Sequence, residues 1–180
     1  MSRLLIPARQ DAPAQSQPLL DAVEAQLGVV PNLFRLIATS PNALEGFLGL
    51  HGALGRTLDL KTRNRIALAV AQANGCDYCL AAHTYLALNA AKLDDAEIAR
   101  NRRGHSGDPK ADAAVALAFK VASDRGRVGD ADIAAVRLAG WTEAQVVEIV
   151  ANVALNVFTN YLNNAAQTEI DFPVVPAEAA

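Results

Sequence analysis

Apolar residues in this chain recur at intervals of three and four and stop at glycines and prolines, and no stretch alternates apolar with polar residues as a half-buried strand does. That spacing confines the fold to packed helices. Leu19, Leu20, Val23 and Leu27 form a face that ends at Gly28; Pro31 opens a short segment through Ala38, and Pro41 opens another, from Leu44 to Leu54. Within that third segment Gly46, Gly49, Gly52 and Gly55 recur at every third position. Each costs up to about 1 kcal/mol relative to Ala inside a helix, and close approach of a neighbouring helix is the expected compensation. Ala, Leu and Val supply most of the apolar mass while aromatic residues make up 5% of the chain, which also favours an all-α fold.

From Lys61 the residues Ile66, Leu68, Ala69, Val70 and Ala73 describe a strongly apolar helix that stops at Asn74-Gly75. Cys76 to Leu93 continues as the second arm of a helical hairpin, so the pair Cys76 and Cys79 should open a helix. Asp94 and Glu97 have capping-box spacing for a short helix to Arg103, and His105 falls in the polar loop Gly104 to Pro109. Further helices are expected over Ala111 to Ser123, over Asp130 to Leu138, and, behind the Thr142/Gln145 pair, from Glu143 to about Glu169. Along the last one Asn152, Asn156, Asn160 and Asn163 form a polar stripe on an otherwise apolar helix. Its alternatives are an active-site pocket, a buried ladder and a subunit boundary, and the boundary is preferred. The organisation expected is an extended arm over 1–17, a single helical domain over 18–172 and a tail over 173–180.

A chain of 180 residues suits one domain that can bury roughly 70% of its unfolded surface without a disulfide or metal staple. The formal charge is −3 and no basic run stands out, so nucleic acid is not an expected partner. Nowhere do about 18 uncharged apolar residues follow one another, and the first 17 residues lack a secretory apolar run. A cytoplasmic protein without a membrane span is expected. In a reducing compartment two cysteines three residues apart suggest redox or metal chemistry more than a structural bridge.

If Cys76 and Cys79 open a helix, they lie one turn apart on one face, with His83 one turn beyond Cys79. A separation of about 5 Å between their Cα atoms is inside the range a disulfide accepts, so the pair can cycle with little backbone movement. The helix amino terminus favours negative charge, and a neighbouring imidazole can bring a thiol pKa from about 8.5 to between about 3.5 and 7.5. Cys79 is accordingly read as the attacking thiolate, His83 as its base and Cys76 as the resolving thiol. The pair could instead be buried apolar filler, a reading the aligned histidine disfavours. Zinc would want a fourth ligand, and neither a second CxxC nor an HxxxH occurs. A thioredoxin-type site would follow a strand, whereas both flanks are helical.

The run Leu60-Lys61-Thr62-Arg63-Asn64-Arg65-Ile66-Ala67-Leu68-Ala69-Val70-Ala71-Gln72-Ala73-Asn74-Gly75-Cys76-Asp77-Tyr78-Cys79-Leu80-Ala81-Ala82-His83-Thr84 closely resembles the core of the alkylhydroperoxidase AhpD-like proteins of the carboxymuconolactone decarboxylase superfamily. Asn160-Tyr161-Leu162-Asn163 and Asp171-Phe172-Pro173 are similar to its peroxidase-related branch. The resemblance implies an all-helical subunit with the CxxC at the amino terminus of a core helix, assembly into trimers or hexamers, and reduction of a hydroperoxide or a disulfide. A thiol donor would then re-reduce the pair, and no metal or organic cofactor is required. It also implies a proton-relaying glutamate at the position of Asn64, whose amide cannot accept a proton or supply charge. The relay is thus incomplete, leaving thiol–disulfide exchange possible and peroxide turnover weak.

His51, on the glycine-spaced helix, and Tyr78, between the cysteines, are further candidates for lining a substrate pocket; His51 could equally be a satisfied core or interface residue, and Tyr78 ordinary packing. Two other functions compete with the antioxidant oxidoreductase. One is a decarboxylase of the same superfamily, which needs no CxxC; the other is a redox-responsive oligomeric scaffold without turnover, which the missing glutamate favours. Restoring the carboxylate with Asn64→Glu is expected to speed peroxide reduction in stopped flow, and an unchanged rate would remove the incomplete relay from the explanation.

Overall fold

The computed structural model describes residues 2–177. Its elements are a 3-10 turn at Arg9–Asp11 followed by α1 (Gln17–Leu27), α2 (Asn32–Ile37), α3 (Pro41–Leu54), α4 (Leu60–Ala73), α5 (Asp77–Asn89), α6 (Asp95–Arg102), α7 (Pro109–Ser123), α8 (Asp130–Leu138) and α9 (Glu143–Ala166). Among the described residues there is no strand, as the spacing of the apolar residues requires. The arm expected over 1–17 carries that 3-10 turn and is tied at its start to the end of α9, where Arg3 N donates to Ala166 O at 2.6 Å. Of the tail expected over 173–180, the last three residues lie outside the described part.

Helix α4 lies between two cores. Leu68 and Ala71 face one, built with Leu20, Leu33, Leu44, Phe47 and Leu80; Ile66 and Val70 face the other, with Leu117, Val136, Trp141, Ile149 and Val153. A helix buried on both sides needs apolar residues around its whole circumference, which is why Ile66 to Ala71 is an unbroken apolar run. Its polar first turn is held by Asp59, whose carboxylate accepts from Thr62 N at 3.0 Å and Thr62 Oγ1 at 2.6 Å. Around it stand α5, α6, α7 and α9. Helix α9, about 36 Å long at 1.5 Å per residue, also touches α3, α5 and α7.

Two sequence expectations are corrected here. A Cβ built on Gly46, Gly49 or Gly52 meets nothing within 4 Å, so the glycine face of α3 is open and is not the seat of a close helix pair within the chain. The asparagine stripe of α9 points inward and is buried, so it forms no subunit boundary. The opposite face of α9 is exposed and apolar, with Val147 68% and Tyr161 57% exposed and Val150, Ala154 and Phe158 between them. A 3.6-residue period reports that a helix has two faces; which one meets the interior depends on the rest of the chain.

The α6–α7 loop is organised by a buried carboxylate. Glu97 accepts from Arg65 Nε at 2.9 Å, Asn101 Nδ2 at 3.1 Å, Ser106 Oγ at 2.5 Å and Gly107 N at 2.8 Å. Gly104 begins this loop at φ +79°, where a Cβ would fall 2.9 Å from Phe119 Cγ, so only glycine fits. Burial alone would raise the Glu97 pKa; the donors from Ser106, Gly107, Asn101 and Arg65 outweigh it and bring it from 4.5 down to about 2. A carboxyl lowered on folding stabilises the protein fully above its unfolded pKa and loses that contribution as pH falls toward the folded one. Glu97→Gln is therefore expected to cost about 1–3 kcal/mol at neutral pH, with the gap to the unsubstituted protein in urea melts narrowing as pH falls from 4.5 to 2. A gap constant across that window would overturn the assignment.

Candidate active site

The turn between α4 and α5 sets the geometry of the sulfurs. Asn74 ends α4, Gly75 takes a left-handed φ of +58°, and the next two amides turn back: Gly75 N donates to Gln72 O at 3.1 Å and Cys76 N to Ala71 O at 3.0 Å. This pair of bonds is the Schellman arrangement, and it passes the chain to Cys76 in an extended conformation, φ −99° and ψ 95°. Cys76 thereby becomes the N-cap of α5, with its Sγ accepting from Cys79 N at 3.4 Å. Both cysteines are free thiols.

Neither sulfur is open to solvent. Cys76 is fully buried and Cys79 keeps 3% of its surface exposed. Behind them the carboxy-terminal segment is fastened across α5. Tyr78 Oη donates to Asp171 Oδ1 at 2.8 Å and accepts from Leu33 N at 3.1 Å, while Asp171 Oδ2 accepts from Asn32 N at 2.7 Å. Phe172 sets its ring edge-on to Tyr78 at 5.8 Å, and Ala177 N donates to Asp77 Oδ1 at 2.7 Å. Burial raises the Tyr78 pKa, so the phenol stays neutral. Its hydroxyl is already engaged on both sides and offers nothing to a ligand, which replaces the pocket-lining part expected of Tyr78 with a fastening one.

The two thiols are electrostatically unequal. The Cys79 pKa is lowered, first by a hydrogen bond from Cys76; burial opposes this, and Asn163, Asn160 and Thr159 add to it. That of Cys76 is raised, first by the same bond, then by burial and by the charge on Cys79. Both directions describe one arrangement: a Cys76 S–H donating to a Cys79 thiolate. Asn163 Nδ2 lies 3.3 Å from the Cys79 sulfur.

His83 is one turn beyond Cys79 on α5, as its spacing requires, but its ring is engaged elsewhere. Burial first, then the neighbouring His51, lower its pKa to about 4, while a hydrogen bond with Asn156 works in the opposite sense. Asn156 Nδ2 donates to Asn152 O at 2.8 Å, so the amide oxygen faces the imidazole, and His83 Nδ1 is buried without a partner. Among the described residues no hydrogen bond joins His83 to either sulfur. His51 is held neutral by burial and then by the charge of Arg63, and its ring lies 5.8 Å from that of Phe47. Asn64 is buried on α4 and donates its amide to Leu60 O at 2.9 Å. His105 is an exposed loop residue 3.4 Å from Asp112. Among the described residues no group of three or more His, Cys, Asp or Glu side chains is arranged to hold a metal ion, and no helix is long and apolar enough to cross a membrane.

Sequence reasoning weighed an active-site pocket for Asn160 and Asn163 but preferred a subunit boundary, and it gave Thr159 and Asp171 no part in the site. The asparagines did leave a signal: a polar stripe on a helix with an apolar opposite face has to meet something polar inside. Asp171 left none, because its partners Tyr78 and Asn32 are 93 and 139 residues away.

Residues 41–120, which include Asn64, both cysteines and His83, match the carboxymuconolactone decarboxylase family. Among solved structures, the AhpD-core, uncharacterized peroxidase-related protein from Ralstonia eutropha JMP134 is similar at 28% identity and TM-score 0.81, over 94% of this chain and 92% of the other. An uncharacterized peroxidase-related protein from Silicibacter sp. TM1040 shares the fold at 22% identity and TM-score 0.80, over 93% and 91%. So does the debrominase Bmp8 in complex with 2,3,4-tribromopyrrole, at 22% identity and TM-score 0.78, over 93% and 92%. No curated protein matches the chain. The chain thus carries the carboxymuconolactone decarboxylase family pattern across its helical hairpin and is similar in fold, over nearly its whole length, to the AhpD-core peroxidase-related protein.

Proposed function

We propose that the protein is a thiol-dependent oxidoreductase that reduces a small hydroperoxide through Cys79 and Cys76. The observation that carries this reading is the inequality of the two thiols, with Cys79 lowered and Cys76 raised by the bond between them. In the first step the Cys79 thiolate attacks the terminal oxygen of the hydroperoxide. The O–O bond breaks, the alkoxide takes a proton from water and leaves as the alcohol, and Cys79 becomes a sulfenic acid. Cys76 then attacks the Cys79 sulfur, water departs and an intramolecular disulfide forms; a thiol donor reduces it by exchange and is itself oxidised to the disulfide.

Burial supports the peroxide over a folded protein disulfide as substrate, because Cys79 has only 3% of its surface exposed. His83, neutral at pH 7 with an unpartnered Nδ1, suits a hydrogen-bond acceptor for the hydroperoxide O–H better than a base for the thiol. Asn64 has no carboxylate to relay a proton, so turnover slower than with a glutamate there is expected. The exposed face of α9, which carries no charge from Val150 to Ala165, supports assembly into a homo-oligomer.

Wild-type protein should consume hydroperoxide in the presence of a dithiol. Cys79→Ser should abolish consumption. Cys76→Ser should consume one equivalent and accumulate a sulfenic acid at Cys79 that dimedone traps. Turnover that survives Cys79→Ser would overturn the assignment, and formation of the disulfide without repeated turnover would favour the redox-responsive scaffold. A second prediction concerns the histidine: His83→Phe should raise the KM for hydroperoxide while leaving the Cys79 titration in place, and a shift of that titration would return His83 to the part of thiol base.

A further inference from the structure

The interior face of α9 brings two carboxamides to the Cys79 sulfur. Asn163 Nδ2 is 3.3 Å from Sγ. Asn160 is fully buried and its orientation is fixed, because its Oδ1 accepts from Asn74 Nδ2 at 2.9 Å. That bond turns the Asn160 NH2 away from Asn74, and the group has no complete hydrogen bond of its own. Asn74 is held in turn by Asn164, whose Nδ2 donates to Asn74 O at 2.9 Å. The turn that carries Cys76 is therefore fastened to the helix that carries the two amides. Thr159 also neighbours the sulfur and adds to the lowering, but its single hydroxyl proton is shared with Asn156 O at 2.9 Å, so it is a weaker donor than the amides.

We propose that Asn163 and Asn160 are positioning residues that hold Cys79 as the thiolate, with neutral amide donors from α9 taking the place of a carboxylate–imidazole relay. The physical argument concerns which protonation state satisfies the buried groups. A protonated thiol is a weak acceptor and leaves the Asn160 NH2 unpaired in a buried site, which is costly. A thiolate accepts from Asn163, from Asn160 and from the Cys76 S–H at once, and bonds to an ionised acceptor are about twice as strong as neutral ones. The groups of the expected relay are committed elsewhere: Asn64 donates to Leu60 O and the His83 ring is turned to Asn156. The lowered Cys79 pKa, to which both asparagines contribute, is the behaviour such a cradle produces.

The proposal rests on Cys79 being the reactive sulfur and is tested apart from turnover. Ultraviolet thiolate absorbance is titrated with pH, each protein being measured against the same protein carrying Cys79→Ser, so that no reagent has to reach the buried sulfur. In the unsubstituted protein the midpoint should lie below the roughly 8.5 of a free cysteine. Asn163→Leu should raise it by about one to two pH units, the worth of a bond to a charged group. Asn160→Ala should move it in the same direction by less, and it carries the test if the leucine variant does not fold. Asn74→Ala takes no donor from the sulfur itself but releases the Asn160 amide, so it should lower the melting temperature and move the midpoint no further than Asn160→Ala does. A midpoint that both asparagine variants leave unchanged, or an unsubstituted Cys79 that titrates like a free thiol, overturns the cradle. A low midpoint that moves with the asparagines in a protein that consumes no hydroperoxide keeps the cradle and removes the peroxidase reading instead.

Discussion

One left-handed residue, Gly75, governs the rest of the site. Because it lets α4 stop within one residue, the next helix begins at once and Cys76 is left extended at its cap. A side chain at φ +58° would be strained, and any lengthening of the turn would rotate α5 about its axis by about 100° per residue, carrying Cys79 away from α9. The chemistry of two sulfurs thus depends on a residue with no functional group. Asn74 beside it has a double part, ending α4 and gripping Asn160.

Burial then decides what each group can do. The site is buried, and in a buried site the protonation state follows local donors more than bulk pH. Donors converge on Cys79 and favour its anion; His83 faces an amide oxygen and a second histidine and stays neutral; Tyr78 stays neutral in the grip of Asp171 and Leu33. The same enclosure restricts what reaches the sulfur. Cys79 keeps only a few per cent of its surface exposed, and the segment from Asp171 to Ala177 is fastened across the start of the same helix.

Much of the helical framework was legible because it is written in local interactions. Asp130–Leu138 is found as its composition and caps foretell, and Thr142 with Gln145 caps α9 reciprocally, whereas Asp94 caps α6 one way only, through its bond from Glu97 N, because the Glu97 carboxylate is taken up by Arg65 and the α6–α7 loop. Differences are confined to ends. The second arm of the hairpin stops at Asn89, where Ala90 to Asp94 form the connection, and α9 stops at Ala166 with Gln167 left-handed, three residues short of Glu169. The misjudged features all concern the far side of a contact. The α3 glycines, the α9 asparagines and Tyr78 each have a partner, or an empty space, supplied by a segment distant in sequence.

By itself the sequence determined the all-helical architecture, the hairpin with its cysteines at the start of the second arm, the one-turn spacing of Cys76, Cys79 and His83, and the family likeness. These are consequences of propensity, capping and helical period, which act over a few residues. Tertiary structure decided which way the helices face. It turned the asparagines of α9 onto Cys79, drew the His83 ring to Asn156 and folded Asp171 back to Tyr78. A period can place side chains on a common face, but only the packing of a second helix says what that face will meet, and the charge on a buried sulfur is set by what it meets.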